Sequence, residues 1–145
     1  MEMPLEVAWR TVNEHLQVIF PEWDVAQPFP ENPSWRVDVL YGCSTGSNSL
    51  VDGPPWSVRN EKDIDYLGDP TLRAQVDRGF DALVERGFEP VDIGPGKAPE
   101  ERSVRNDAGF SVVLMVSWRG SDMWTVRSSS PCITFPGDEE YSQSR

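Results

Sequence analysis

One pentapeptide has the spacing of a nucleophile: Gly42-Cys43-Ser44-Thr45-Gly46 matches G-x-S-x-G at the end of an alternating apolar stretch. A serine so placed attacks an ester or amide when a strand-to-helix turn exposes its hydroxyl and a histidine further along the chain takes its proton. The residues that follow, SNSLVDGPP, cannot start a helix, and the single histidine, His15, precedes the serine. A Gly/Ser loop after a strand is the better reading. Cys43 paired with His15 as thiol and base is the other hydrolytic arrangement, and it is disfavoured because His15 is expected near the exposed side of its helix. A hydrolase using Ser44 or Cys43 thus stays as the least favoured of the functional readings.

Asp63-Ile64-Asp65-Tyr66-Leu67-Gly68 begins like a calcium loop, with acids first and third and glycine sixth. The fifth position is Leu67 and the twelfth is Ala74, so two ligands are missing, including the bidentate glutamate that dominates affinity. The segment reads as an acidic turn before a helix. Two cysteines and one histidine are too few for a Cys/His zinc site unless carboxylates complete it. Gly94-Pro95-Gly96 lacks the third glycine of a phosphate cradle, and Pro95 has no N–H to offer an anion. No metal, cofactor or catalytic constellation is expected.

The six tryptophans are the remaining signal. Trp9, Trp35, Trp56, Trp118 and Trp124 fall at phases compatible with a core, which is where most large aromatics of a small domain go. A subset of Trp23, Phe29, Trp118 and Trp124, exposed and rimmed by acids, would instead make a docking patch for a protein or ligand.

These residues need a frame. A chain of 145 residues has the size of one domain, expected over 1–136, with 137–145 as a frayed polar tail lacking core residues. Thirteen prolines and 11 glycines argue for shaped connections and against a helical bundle. The formal charge of -11 would repel nucleic-acid phosphates and anionic lipid, so no nucleic-acid partner is expected. No run approaches the roughly 20 apolar residues of a membrane span. The first residues, MEMPLEVAWRTVNEHL, lack a basic region followed by an apolar core, leaving a cytoplasmic protein or the mature part of an exported one as the two readings of location.

Pro4 to Phe20 reads as a helix with Leu5, Trp9, Val12, Leu16 and Ile19 on one face. Prolines then impose an extended connection to a half-buried strand, Trp35 to Gly42. A loop follows from Ser44 to Pro55, then a short strand, Trp56 to Asn60. Asp69 caps a second helix with Pro70 at its first position, and Gly87 ends it before a strand from Phe88 to Ile93. The last part, Ser103 to Ser129, reads as a three-stranded meander whose central strand is Phe110 to Trp118. If Gly120-Ser121 is a two-residue hairpin loop, Trp118 faces Met123 and Ser117 faces Trp124. Phe110, Val112, Leu114, Val116, Trp118 and Met123 then share one face, and Val104, Val113, Met115, Trp124 and Val126 the other. Two apolar faces imply a sheet covered at least partly on both sides. The order α-β-β-α-β-β-β-β makes an α+β two-layer sandwich, an antiparallel sheet packed against two helices. Cys43 and Cys132 both fall at strand ends. A bridge between them would close a loop of about 90 residues, on the order of 4 to 5 kcal/mol in the chain-entropy model; two buried free thiols are the other reading.

The succession Trp56-Ser57-Val58, Arg86-Gly87-Phe88, Val104-Arg105-Asn106-Asp107-Ala108-Gly109-Phe110 and Ser129-Ser130-Pro131-Cys132 resembles small secreted proteins and lipoproteins of actinobacteria. In those a helix precedes a first cysteine and a C-terminal hairpin closes on S-P-C. The resemblance implies an envelope-located α+β domain with Cys43 and Cys132 matching the paired cysteines, and carries no activity. The chain departs from the pattern in having no signal peptide or lipobox cysteine. The expected function is a non-enzymatic binding or interaction module, envelope-associated and lipoprotein-like. The alternative is an acidic immunity-type or inhibitor protein whose partner is a basic toxin or nuclease.

Overall fold

The computed structural model describes residues 1–31, 39–45, 51–117 and 122–142. Helix α1 (Leu5–Ile19) follows Pro4 and buries Ala8, Trp9, Val12, Leu16 and Ile19 along one stripe. It stops because Phe20 takes extended geometry and Pro21 cannot continue the bonding. Helix α2 (Pro70–Glu85) begins as the sequence predicts: the Asp69 carboxylate accepts from the Leu72 N–H at 3.1 Å, with Pro70 next. Gly87, at φ +103°, ends it in the left-handed conformation that glycine adopts without strain. The two helices meet closely, since a Cβ on Gly79 would stand 2.6 Å from Ile19 Cγ1.

The strands are β1 (Leu40–Thr45), β2 (Val51–Ile64), β3 (Glu89–Val91), β4 (Arg102–Arg105), β5 (Ser111–Val116) and β6 (Trp124–Ile133). They form one sheet of order β1-β2-β6-β5-β4-β3, and every neighbouring pair is antiparallel. The fold is α+β, with the sheet packed against two helices. β5 is interior, between β4 and β6, as its apolar run predicts.

Both helices lie on one face of the sheet. Leu16 and Ile19 of α1 and Val76, Phe80 and Leu83 of α2 pack with Val104, Val112, Leu114, Trp124 and Val126 of the sheet. A second cluster joins Ala8 and Trp9 to Leu40, Trp56, Val58 and Ile133. Val113 and Met115 point to the other face, where no helix lies among the described residues, and are partly buried.

The register between β5 and β6 differs from the expected one by a single residue. Val116, not Ser117, stands opposite Trp124, and the Ser117 N–H bonds Met123 O at 2.9 Å. A slip of one residue exchanges the faces of a whole strand. It puts Trp124 and Val126 beside Val112 and Leu114 on the helix side, where Val104 also lies through its own pairing with Val112, and burial of all five stabilises the fold. Ser117 and Met123 are joined by more than two residues; Gly120-Ser121 and Trp118 lie outside the described residues.

β1 and β2 run further than the sequence suggests. Ser44 and Thr45 pair with Asp52 and Val51, and the pairing shifts between Gly42 and Ser44. Pro54 and Pro55 fall in that irregular stretch, where a missing N–H breaks no ladder bond. Positions 35–38 of the expected first strand lie outside the described residues. The expected frayed tail is also corrected as far as residue 142. Asp138–Tyr141 forms a 3-10 turn, the Tyr141 ring packs against Phe29, Trp56 and Phe135, and the Trp56 indole N–H donates to Asp138 O at 2.9 Å.

Candidate functional site

Of the four aromatic residues expected to make a docking patch, the three that lie among the described residues, Trp23, Phe29 and Trp124, are apart. Trp124 is 2% exposed and packs on Tyr66 with ring centroids 5.2 Å apart, so it belongs to the core. Trp118 lies outside the described residues. Trp23 is partly buried against the core, its indole N–H donating to Asn13 Oδ1 at 2.8 Å. Phe29 sets its ring at the edge of Trp9, 5.2 Å away. Trp23 and Phe29 line separate grooves, one with Phe20 and Lys62, the other with Glu6, Trp9 and Arg10.

Cys43 and Cys132 are disulfide-bonded, with Cα atoms 6.1 Å apart. The bridge ties β1 to β6, the strands on either side of β2. In this form the Cys43 sulfur is no thiolate nucleophile. Ser44 Oγ faces the carbonyl oxygens of Asp52 and Pro54, at 3.0 and 3.3 Å. β1 continues through both residues, with a shift of pairing between Gly42 and Ser44, so they do not sit on a strand-to-helix elbow.

His15 is not on the exposed side of α1, as the helical stripe had suggested. Its ring is met edge-on by Phe88 and Phe110, with centroids at 5.0 and 5.5 Å. Its Nδ1 is buried and unpartnered. The structure therefore brings neither Cys43 nor Ser44 to it. Burial first, then the charge of Arg86, lowers the His15 pKa from its ordinary 6.5 to about 4. The folded form thus keeps His15 neutral while the unfolded chain protonates it. Its contribution to stability is complete above the unfolded value and declines as pH falls toward the folded one. Between about pH 7 and pH 4.5 the protein should lose about 1–2 kcal/mol more than His15→Leu, after discounting for partial exposure. Urea melts of both proteins at the two pH values check this; parallel losses would contradict it.

The acids of the calcium-like segment serve separate local ends. Asp63 Oδ1 accepts from Thr125 Oγ1 at 2.6 Å, Asp65 Oδ1 from the Gly68 N–H at 3.1 Å, and Asp69 caps α2. No group of three or more potential metal ligands occurs among the described residues. What this turn does create is a notch of about 570 Å³ lined by Asp65, Leu67, Gly68, Asp122 and Met123. Leu67 is 50% and Met123 43% exposed. Each follows or precedes a buried aromatic, Tyr66 and Trp124, and those two rings pack together. The Tyr66 hydroxyl donates to Asp77 Oδ1 at 2.6 Å; burial, then this bond, raises its pKa to about 12, so it remains a donor at neutral pH. Leu67 and Met123 stand exposed at the notch with Asp65 and Asp122, each next in sequence to a ring held in the core. The sequence had indicated an acid-rimmed apolar patch, but with tryptophans in it. The signal for the residues found is local: Leu67 and Met123 each sit within two positions of an acid and next to an aromatic.

No protein family, no curated protein and no solved structure matches the chain. Of the likeness to small secreted two-cysteine proteins, the structure bears out the cysteine pair. No helix is long and apolar enough to cross a membrane among the described residues.

Proposed function

We propose that the chain is a non-enzymatic binding module that receives a basic protein partner on the Leu67–Met123 notch. The observation that carries this reading is the pair of exposed apolar side chains, Leu67 and Met123, in one notch with Asp65 and Asp122. An apolar anchor within a polar rim is the arrangement in which a few residues supply most of the binding energy. The net charge of -11 adds a long-range attraction for a basic surface and accelerates encounter. The disulfide supports an oxidising location, as an envelope-associated or secreted lipoprotein-like domain would have. The same charge favours a second reading, an immunity-type inhibitor of a basic toxin or nuclease.

Capture of partners from native extract on immobilised protein tests the site. Leu67→Ala with Met123→Ala should weaken the captured interaction by about 10–100-fold and leave the melting temperature unchanged, because both side chains are exposed. Asp65→Asn with Asp122→Asn should slow association and flatten its salt dependence. Full affinity in the Leu67/Met123 double variant would contradict the assignment. An inhibitor of a basic enzyme would be told apart by loss of the captured partner's activity in the complex.

A further inference from the structure

A second groove, of about 690 Å³, opens where the end of α1 meets α2 and β2. Its walls include Phe20, Trp23 and Leu72, and its rim carries Lys62, Arg78 and Glu22. We propose that this groove binds a small monocarboxylate with a planar apolar body, independently of the acidic notch. The volume lies in the range of small-molecule sites. The apolar wall is held in place from behind. Trp23 is fixed through its indole N–H to buried Asn13, its carbonyl accepts from Gln17 Nε2 at 3.2 Å, and Gln75 Nε2 ties α2 to Ile19 O at 3.0 Å. Phe20, 6% exposed, backs the wall with its ring centroid 6.2 Å from that of Trp23, and the partly buried Trp23 ring supplies the apolar surface on which a ring can lie.

The charge points to an anion. In a chain of net charge -11, Lys62 and Arg78 both stand at this groove, and neither makes an ion pair among the described residues. Lys62 Nζ is 5.8 Å from the Phe20 ring centroid, so a cation borders the aromatic surface. A carboxylate held there would gain charge-assisted hydrogen bonds. Glu22 on the same rim and the negative charge of the whole molecule act against a dianion, which is why a carboxylate is assigned and a phosphate is not.

Titrations of the full chain with 2-naphthoate, 2-naphthyl phosphate and the neutral 2-naphthalenemethanol, followed by amide NMR shifts, test this. The expected result is 2-naphthoate binding tighter than about 1 mM and about tenfold tighter than the neutral compound. The shifts should centre on Phe20, Trp23, Gln75 and Arg78, with the phosphate weaker than the carboxylate. Lys62→Gln with Arg78→Gln, both exposed and neutral for folding, should bring naphthoate down to the neutral compound. Equal affinities in the wild type, no binding, tighter binding of the phosphate, or shifts elsewhere would overturn the proposal.

Discussion

Replacing Cys43 and Cys132 together by serine is expected to lower the melting temperature by about 10–15 °C, the largest single effect foreseen for this chain. The two cysteines are 89 positions apart, so the bridge withdraws a long loop from the unfolded ensemble. The chain-entropy relation gives about 4.5 kcal/mol for such a loop, and a domain of this size loses about 2–4 °C per kcal/mol. The fold gives a second reason. Among the described residues β1 is an edge strand paired with β2 alone, and its pairing is irregular beside Cys43; the bridge fastens that edge to β6. Reductant should lower the wild-type melting temperature by a similar amount and leave the double variant unmoved. A fall of less than about 3 °C in the double variant would show that the bridge contributes little.

The second large effect is expected at Asn13. This side chain is fully buried on α1, in a position that an apolar stripe would otherwise fill. Its Oδ1 accepts from the Trp23 indole at 2.8 Å and from Asn60 Nδ2 at 2.9 Å, and its Nδ2 donates to Trp9 O at 2.8 Å. One amide thus joins the helix, the proline-rich connection and β2. Asn13→Leu leaves the part-buried Trp23 indole N–H without its acceptor and takes from Asn60 Nδ2 the shorter of its two, the other being Gln27 Oε1 at 3.5 Å; with an orphaned group costing about 1–3 kcal/mol, a loss of about 2–3 kcal/mol is expected. Asn60→Leu in the same background should return part of that loss by removing one weakened donor. Urea unfolding of the wild type, the single variants and the double variant measures the coupling. Additive losses would show that the network acts as separate contacts.

The elements were legible where local chemistry decides them. Asp69-Pro70 and Gly87 mark the ends of α2 through capping and the left-handed turn, and the apolar run of β5 places it inside the sheet. What escaped was decided by partners distant in sequence. His15 is partly buried against Phe88 and Phe110, and Tyr141 is held by Phe29, Trp56 and Phe135; no helical period or tail composition carries such contacts. The β5–β6 register failed for a different reason. A two-residue turn at Gly120-Ser121 satisfied the turn rules, but burying Trp124 with Val126 on the helix side outweighs a preferred hairpin length. That slip also placed Met123 on the face of Val112 and Leu114, whereas its side chain is 43% exposed. The disulfide was foreseen from strand ends, one of which, at Cys43, proves to lie within a continuing strand.

The measurement that bears most directly on the binding assignment is photo-cross-linking in native extract from a diazirine side chain placed at position 67. A control protein carries the same group at exposed position 14 of α1. A discrete adduct between position 67 and a basic protein is expected. That adduct should be displaced by unlabelled wild type, greatly reduced at about 0.5 M salt where charges are screened within a few ångströms, and absent from position 14. No adduct at position 67, the same adducts at both positions, or an acidic protein captured with no response to salt would contradict it.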